Sequence, residues 1–172
     1  MALDSMYELL MSELQHMYHA ENQLLKSLPK MARTAETPAL REAFEEHLTQ
    51  TEDQVSRLEQ VFAELGVASR AKRCRGMEGL LDEVKELIDE GGNEPVLDAG
   101  LISAAQRVEH YEMAAYGSLV AYAELLGEQQ VAAVLRVSLE EEKAADQKLA
   151  RIAEGEVNAV AVTAGLQEET GG

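Results

Sequence analysis

The sequence is poor in the residues that build β-sheets and disulfide frameworks. Its 172 residues contain no tryptophan, two phenylalanines, three prolines and one cysteine, Cys74, and aromatic residues make up only 4%. A single cysteine can form neither an intramolecular disulfide nor a thiolate metal cluster. Strands favour aromatic and β-branched residues, whereas Ala, Leu and Glu favour helices. The composition therefore indicates an all-α chain with one domain and one sizeable core.

Positive charge and long apolar runs are also scarce. The chain has 15 Lys plus Arg against 32 Asp plus Glu, a formal net charge of -17. A negative field repels phosphate backbones and anionic lipid and attracts cations, so we expect no nucleic-acid binding and no membrane binding. The start, MALDSMYELL, is not a basic segment followed by an apolar run, and no stretch approaches the ~18 apolar residues of a membrane span. We therefore expect a cytoplasmic protein.

Apolar residues recur at helical spacing in four long segments, residues 4–35, 37–66, 95–126 and 128–154. Short turns join the first segment to the second and the third to the fourth, and residues 67–95 form a connection with a short amphipathic helix over 77–90. Two hairpins joined by one long crossover predict a ferritin-like antiparallel four-helix bundle over residues 1–154. Small and polar residues without a sustained period predict a flexible tail over residues 155–172.

Polar residues interrupt the apolar stripes where core residues are expected. The first, third and fourth helices contribute carboxylates, and the second contributes three other polar residues. The carboxylates are Glu21, Glu109, Glu112, Glu142 and Asp146, and the second-helix residues are His47, Thr51 and Gln54. Counting from the two hairpin turns puts the five carboxylates at one height, near the middle of the bundle.

A buried carboxylate without a partner costs several kcal/mol at least, and like-charged neighbours raise that cost. No Lys or Arg stands in the four stripes to pair with these residues. Metal ions would supply the missing charge, and oxygen-rich ligation suits iron or manganese better than zinc or copper. The pattern thus predicts a metal site of up to two ions. The alternative is that each residue is a polar core exception or lies on a wider, partly hydrated bundle surface.

Four segments resemble the YciE/YciF-type ferritin-like bacterial stress proteins over about residues 4–154. The segments are Glu13-Leu14 through Tyr18-His19-Ala20-Glu21, Phe44-Glu45-Glu46-His47, Glu109-His110-Tyr111-Glu112, and Leu139 through Asp146. The resemblance implies a four-helix bundle, usually a homodimer, with a metal site like that of rubrerythrins and manganese catalases. It does not imply one settled activity.

The resemblance also implies roles for individual residues. Di-metal carboxylate bundles take a Glu from each of two helices and Glu-x-x-His from each of the other two. By this pattern Glu21 fits the ligand of the first helix, Glu142 fits the Glu of the fourth helix, and the pair Glu109 and Glu112 resembles the paired carboxylates of rubrerythrins.

Two helices depart from that pattern. The second helix has Thr51 and Gln54 where Glu-x-x-His is expected, with His47 about one turn away. The fourth has Ala145 at the histidine position, with Asp146 beside it. We therefore expect His47, Thr51 and Gln54 to contribute weakly. The metal position held by Glu109, Glu112, Glu142 and Asp146 should fill before the one facing the first two helices.

Three functions remain open at this point. The first is a di-iron or di-manganese oxidoreductase that acts on peroxide or oxygen. The second is a non-catalytic stress or scaffold protein with a weak or vacant metal site. The third is metal binding or storage without turnover.

Overall fold

The computed structural model describes residues 3–170, and helices account for most of them. The bounds are α1 Met6–Thr34, α2 Pro38–Glu64, α3 Arg75–Glu90, α4 Glu94–Leu125, α5 Gln129–Ile152 and α6 Asn158–Thr170. No strand occurs within 3–170, so the all-α prediction is confirmed for that range. The outermost residues of the predicted bundle and tail (1, 2, 171 and 172) lie outside the described part of the chain.

The helix ends follow from local capping chemistry. The Ser5 Oγ atom accepts a hydrogen bond from the Glu8 amide at 3.1 Å, and the Glu8 carboxylate accepts one from the Asp4 amide at 2.8 Å. The first contact satisfies an amide that the first turn of α1 leaves without a helical partner, and the second ties the preceding residue to that turn. Gly66 and Gly127 follow α2 and α4 with φ angles of 70° and 79°, in the left-handed region that favours glycine.

The four long helices form a bundle in which each packs against two others. α1 packs against α2 and α4, and α5 packs against the same two helices. The turns within each hairpin are short, since α1 ends at Thr34 before α2 begins at Pro38, and α4 ends at Leu125 before α5 begins at Gln129. The resulting core lies between these four helices. Its largest fully buried side chains include Leu14, Leu24, Phe44, Leu58 and Tyr116.

The loop between α2 and α3 is anchored to α1 through Lys72. The Lys72 backbone amide donates to the Gln15 carbonyl at 3.0 Å, and the Lys72 ammonium donates to the Ser12 hydroxyl at 2.8 Å. The short helix α3 then packs against α1 and α4 and buries Met77 and Val84. The connection between α2 and α4 therefore contains one short helix.

The chain beyond α5 differs from the expected flexible tail. Residues 153–157 form a π-helical turn, and α6 continues from it and packs against α4. Ala153 and Val157 are 9% and 2% exposed, so this segment joins the core at two points. Two buried residues do not form a periodic apolar stripe, and the prediction of helices from the sequence depended on such stripes. The predicted boundary at residue 154 falls inside the π-helical turn. Among residues 3–170, no helix combines the length and the apolar character needed to cross a membrane.

Two glycines of α3 provide a matched test of this packing. A Cβ atom on Gly76 would lie 2.7 Å from Cε2 of Tyr111, whereas a Cβ atom on Gly79 would meet nothing within 4 Å. We expect Gly76→Ala to lower the free energy of unfolding by about 1–3 kcal/mol through overpacking. Gly79→Ala should raise it by about 0.5–1 kcal/mol, because alanine favours the helix. Urea denaturation measures both changes, and equal effects at the two positions would contradict the packing described.

Candidate metal centre

One imidazole and three carboxylates meet in the bundle core. They belong to His47 of α2, Glu109 and Glu112 of α4, and Glu142 of α5, and a ligand atom of each lies within 4.8 Å of the others. All four side chains are 5% exposed or less. Glu109 and Glu112 share one face of α4 because residues three apart are neighbours on a helix. We call these four residues the core cluster.

His47 lies closer to the carboxylates than the sequence predicted. Its Nε2 atom is 3.2 Å from Glu109 Oε1, 3.9 Å from Glu142 Oε2 and 4.0 Å from Glu112 Oε2. The prediction that His47 stands one turn away was wrong because heights were compared only within each hairpin. The contacts of His47 run between the hairpins, whose relative register the short turns do not set.

The other two residues of α2 that the sequence placed in the apolar stripe, Thr51 and Gln54, have surroundings different from those of His47. The Thr51 hydroxyl donates to the His47 carbonyl at 2.8 Å, so it is engaged within its own helix. The Gln54 side-chain nitrogen donates to Glu142 at 2.5 Å and to Glu141 at 3.1 Å. Gln54 therefore orients Glu142 through an N–H group and offers this carboxylate no negative charge.

Glu21 borders the core cluster from α1. The Tyr116 hydroxyl donates to Glu21 Oε1 at 2.5 Å, and both side chains are fully buried. Glu21 and Glu112 each influence the pKa of the other, so their carboxyl groups lie close together. The predicted contribution of α1 thus lies beside the cluster, at the Glu112 end.

Asp146 is not part of the core cluster, contrary to the sequence prediction. Its Oδ1 atom accepts a hydrogen bond from Gln106 at 3.1 Å and lies 3.2 Å from His110 Nε2, and the side chain is 19% exposed. Asp146 follows Glu142 by four residues, so it lies about one turn further along α5 and is rotated by about 40° around the helix axis. That rotation turns Asp146 from the core toward the half-exposed side of α4.

An ion pair that the sequence reading missed lies beside the cluster. Both terminal nitrogens of Arg57 contact the Glu141 carboxylate, at 2.6 and 2.7 Å. Arg57 stands one turn after Gln54, and Glu141 directly precedes Glu142. The sequence does not indicate this ion pair, because neither Arg57 nor Glu141 interrupts an apolar stripe. The pair fixes α2 to α5 where Gln54 contacts Glu142.

Burial raises the pKa of the carboxyl groups in and around the cluster. The pKa of Glu21 rises from 4.5 to about 8, first through loss of solvent and then through the charge of Glu142. Burial raises the pKa of Glu109 and Glu112 well above their usual range, and Glu142 adds to both effects. Burial and the neighbouring Glu21 also raise the pKa of Tyr116. When no cation is present, burial therefore favours the protonated, neutral form of each of these groups.

The hydrogen-bonding state of the cluster fits a bound metal ion. Among the described residues, five buried carboxylate oxygens receive no hydrogen bond from an amide, hydroxyl or cationic group: Glu21 Oε2, Glu109 Oε2, both oxygens of Glu112, and Glu142 Oε2. Buried polar atoms are normally paired, because each unpaired one costs about 1–3 kcal/mol. Three carboxylates with one imidazole form a ligand set that suits iron or manganese. The residues present could therefore hold a metal ion.

Known proteins share both the sequence and the shape of this chain. A family model, domain of unknown function DUF892, matches residues 5–162. Protein YciF of Escherichia coli (strain K12) is 44% identical over 142 residues, 82% of this chain and 86% of YciF. The crystal structure of the E. coli stress protein YciF has a TM-score of 0.87 at 40% identity and covers 91% of this chain and 99% of YciF. The structure of YcfI from Rhodopseudomonas palustris has a TM-score of 0.84 at 41% identity and covers 87% and 96% of the two chains. The resemblance to the YciF-type proteins is confirmed.

The raised pKa of Glu21 predicts how stability depends on pH. A carboxyl group whose pKa is 4.5 when unfolded and about 8 when folded binds its proton more tightly in the native state. The free energy of unfolding is then highest below the lower value and falls as pH rises through the upper one. We expect the Tm of the metal-free protein to be lower near pH 8 than near pH 4.5. The difference should correspond to a few kcal/mol in the free energy of unfolding.

Glu21→Gln should flatten this dependence, and Glu42→Gln, at an exposed position of α2, should leave it unchanged. Thermal unfolding with a chelator present measures all three proteins. A Tm that rises with pH in the unmodified protein would rule out this account.

Proposed function

The chain belongs to the DUF892 family, and from that premise we propose that it is a ferritin-like metal-binding protein with iron or manganese in its core. The proposed arrangement is an antiparallel four-helix bundle with one long crossover, the connectivity of ferritin-like folds. Two short hairpins joined through α3 support it. By the family resemblance, we also propose that the protein works as a cytoplasmic homodimer.

The observation that carries the metal proposal is the mutual approach of four ligand atoms within 4.8 Å, in a core with unpaired oxygens. His47, Glu109, Glu112 and Glu142 would hold the first ion. Glu21 would hold a second ion on the Glu112 side, where Gln54 offers no negative charge. His47 thus replaces Asp146 in the expected ligand set, and the second position remains the weaker one.

Two metal ions of this kind can exchange two electrons with the O–O bond of peroxide or oxygen. We propose that the protein is such an oxidoreductase in stress defence, in line with the description of YciF as a stress protein. The chain's own residues would exclude water, orient Glu142 through Gln54, and orient Glu21 through Tyr116. Protons held by Glu21 and Glu112 would leave when a cation arrives.

A non-catalytic role in stress or scaffolding is the second candidate. Thr51, Gln54 and Ala145 stand where the two-metal pattern has ligands, which favours a site that is weak or vacant. The relative YcfI is described as a candidate structural protein. Metal content per chain after purification separates the two functions, since a scaffold requires no metal.

Glu112→Gln should change metal binding and stability in opposite directions. Burial forces Glu112 to take up a proton, whereas Gln is neutral without one, so the metal-free protein should become more stable at neutral pH by about 1–3 kcal/mol. Loss of a ligand should weaken binding of the first ion by about tenfold or more. Mass spectrometry of bound iron and manganese and thermal unfolding give the two readouts. Glu140→Gln, at an exposed position of α5, is the control for both. A variant that is destabilised and binds metal normally would show that Glu112 has a structural role.

Gln54→Glu should strengthen the second metal position. A carboxylate at residue 54 would add an anionic ligand between Glu142 and Glu141, and a hard cation binds a carboxylate better than a neutral amide. We expect the metal content to rise from about one ion toward two per chain. Gln60→Glu, on the exposed side of α2, should bind as the unmodified protein does. Two tightly bound ions in the unmodified protein would contradict the assignment of a weak position.

A further inference from the structure

A cavity of about 200 Å³ opens between α2 and α5 and reaches the core cluster. His47 and Glu109 lie at its inner end, and both are nearly fully buried. Its walls include Ala43, Phe44, Ala145 and Leu149, and Lys148 and Glu46 pair beside its mouth. The cavity is therefore mostly apolar, with polar groups at its two ends.

Small side chains create this space. Ala145 follows Glu142 by three residues, the position at which two-metal bundles carry a histidine. An imidazole there would occupy the cavity, whereas a methyl group leaves it open. Ala43 faces it from α2. Alanine at position 145 thus accounts both for the missing histidine ligand and for the open cavity.

The size of the cavity limits what can enter it. An engineered apolar cavity of about 150 Å³ in another protein is large enough for benzene. A volume of about 200 Å³ thus has room for one six-membered ring with a single small substituent. Phe44 and Leu149 supply apolar surface for such a ring. A ligand of this size would be enclosed between two helices.

The polar groups at the inner end decide the charge of the ligand. His47 Nδ1 and Glu109 Oε2 are buried and have no hydrogen-bond partner. Either a carboxylate or an ammonium substituent would lose its hydration among the apolar walls. A neutral hydroxyl group can donate to either unpaired atom. Lys148 is paired with Glu46 beside the mouth, and Gln50 and Arg151 also line the cavity.

We propose that this cavity binds a small neutral phenol, with the ring between α2 and α5 and the hydroxyl group at His47 and Glu109. The ring gains apolar contact, and the hydroxyl pairs an atom that the fold leaves unpaired. The binding requires no metal, so it goes beyond the proposed oxidoreductase and stands or falls separately from it.

The test uses the full chain in its metal-free form, with phenol, benzene and benzoate as probes. Isothermal titration calorimetry should give phenol an association constant at least about tenfold above the constants of the other two probes. Phenol should also shift the ring resonances of His47 in the NMR spectrum. Equal affinity for phenol and benzene, tighter binding of benzoate, or an unchanged His47 would overturn the proposal.

A cavity-filling variant locates the site. Ala145→Leu should lower phenol affinity by about tenfold or more by occupying the space, and Ala133→Leu, at an exposed position of α5, should not. If Ala145→Leu does not fold, Ala144→Leu at the same cavity replaces it. Unchanged phenol affinity in the folded cavity variant contradicts the proposal. Metal content is measured on separate samples, so a protein without metal that binds phenol refutes the proposed function and leaves this inference intact.

Discussion

Hydrophobic burial along the four long helices is the interaction on which the cluster of buried carboxyl groups depends. Ionised groups this close, in a core of low dielectric, repel each other strongly and would move toward water if their helices allowed it. The apolar stripes prevent that movement. Met17 and Leu24, on the turns either side of Glu21, are each 1% exposed, and the other helices hold their carboxylates in the same way. Hydrophobic burial along the whole bundle therefore holds together a small region that would not assemble alone.

The neighbours of the cluster orient its charge without neutralising it. Tyr116 and Gln54 donate hydrogen bonds through uncharged groups, and the guanidinium of Arg57 is engaged by Glu141. Within the described residues, His47 is the basic side chain that reaches the cluster. The remaining charge is balanced either by protons or by a metal ion, and the two compete for the same oxygens. This competition links the acid–base behaviour of the core to its proposed ligand.

The sequence predicted features that depend on periodicity within one helix. The helix bounds, the crossover, and the burial of Glu109, Glu112 and Glu142 follow from apolar spacing and from glycine and proline at the ends. Features that depend on register between hairpins were not predictable, and His47 is the clearest case. The position of Asp146 was predicted wrongly because residues three and four positions after Glu142 were treated as lying on the same face of α5. The helical tail was missed because it is anchored by few buried side chains.

The unpaired oxygens of the core affect how long such a chain survives in a cell. They lower the stability of the metal-free form, and any ion that binds only the native state restores it by mass action. Proteases degrade chains from the opened state, so the half-life of a protein follows the population of that state. If the site holds iron or manganese, the protein would accumulate where that metal is plentiful and be degraded where it is scarce. Its abundance would then report metal supply without a dedicated regulator.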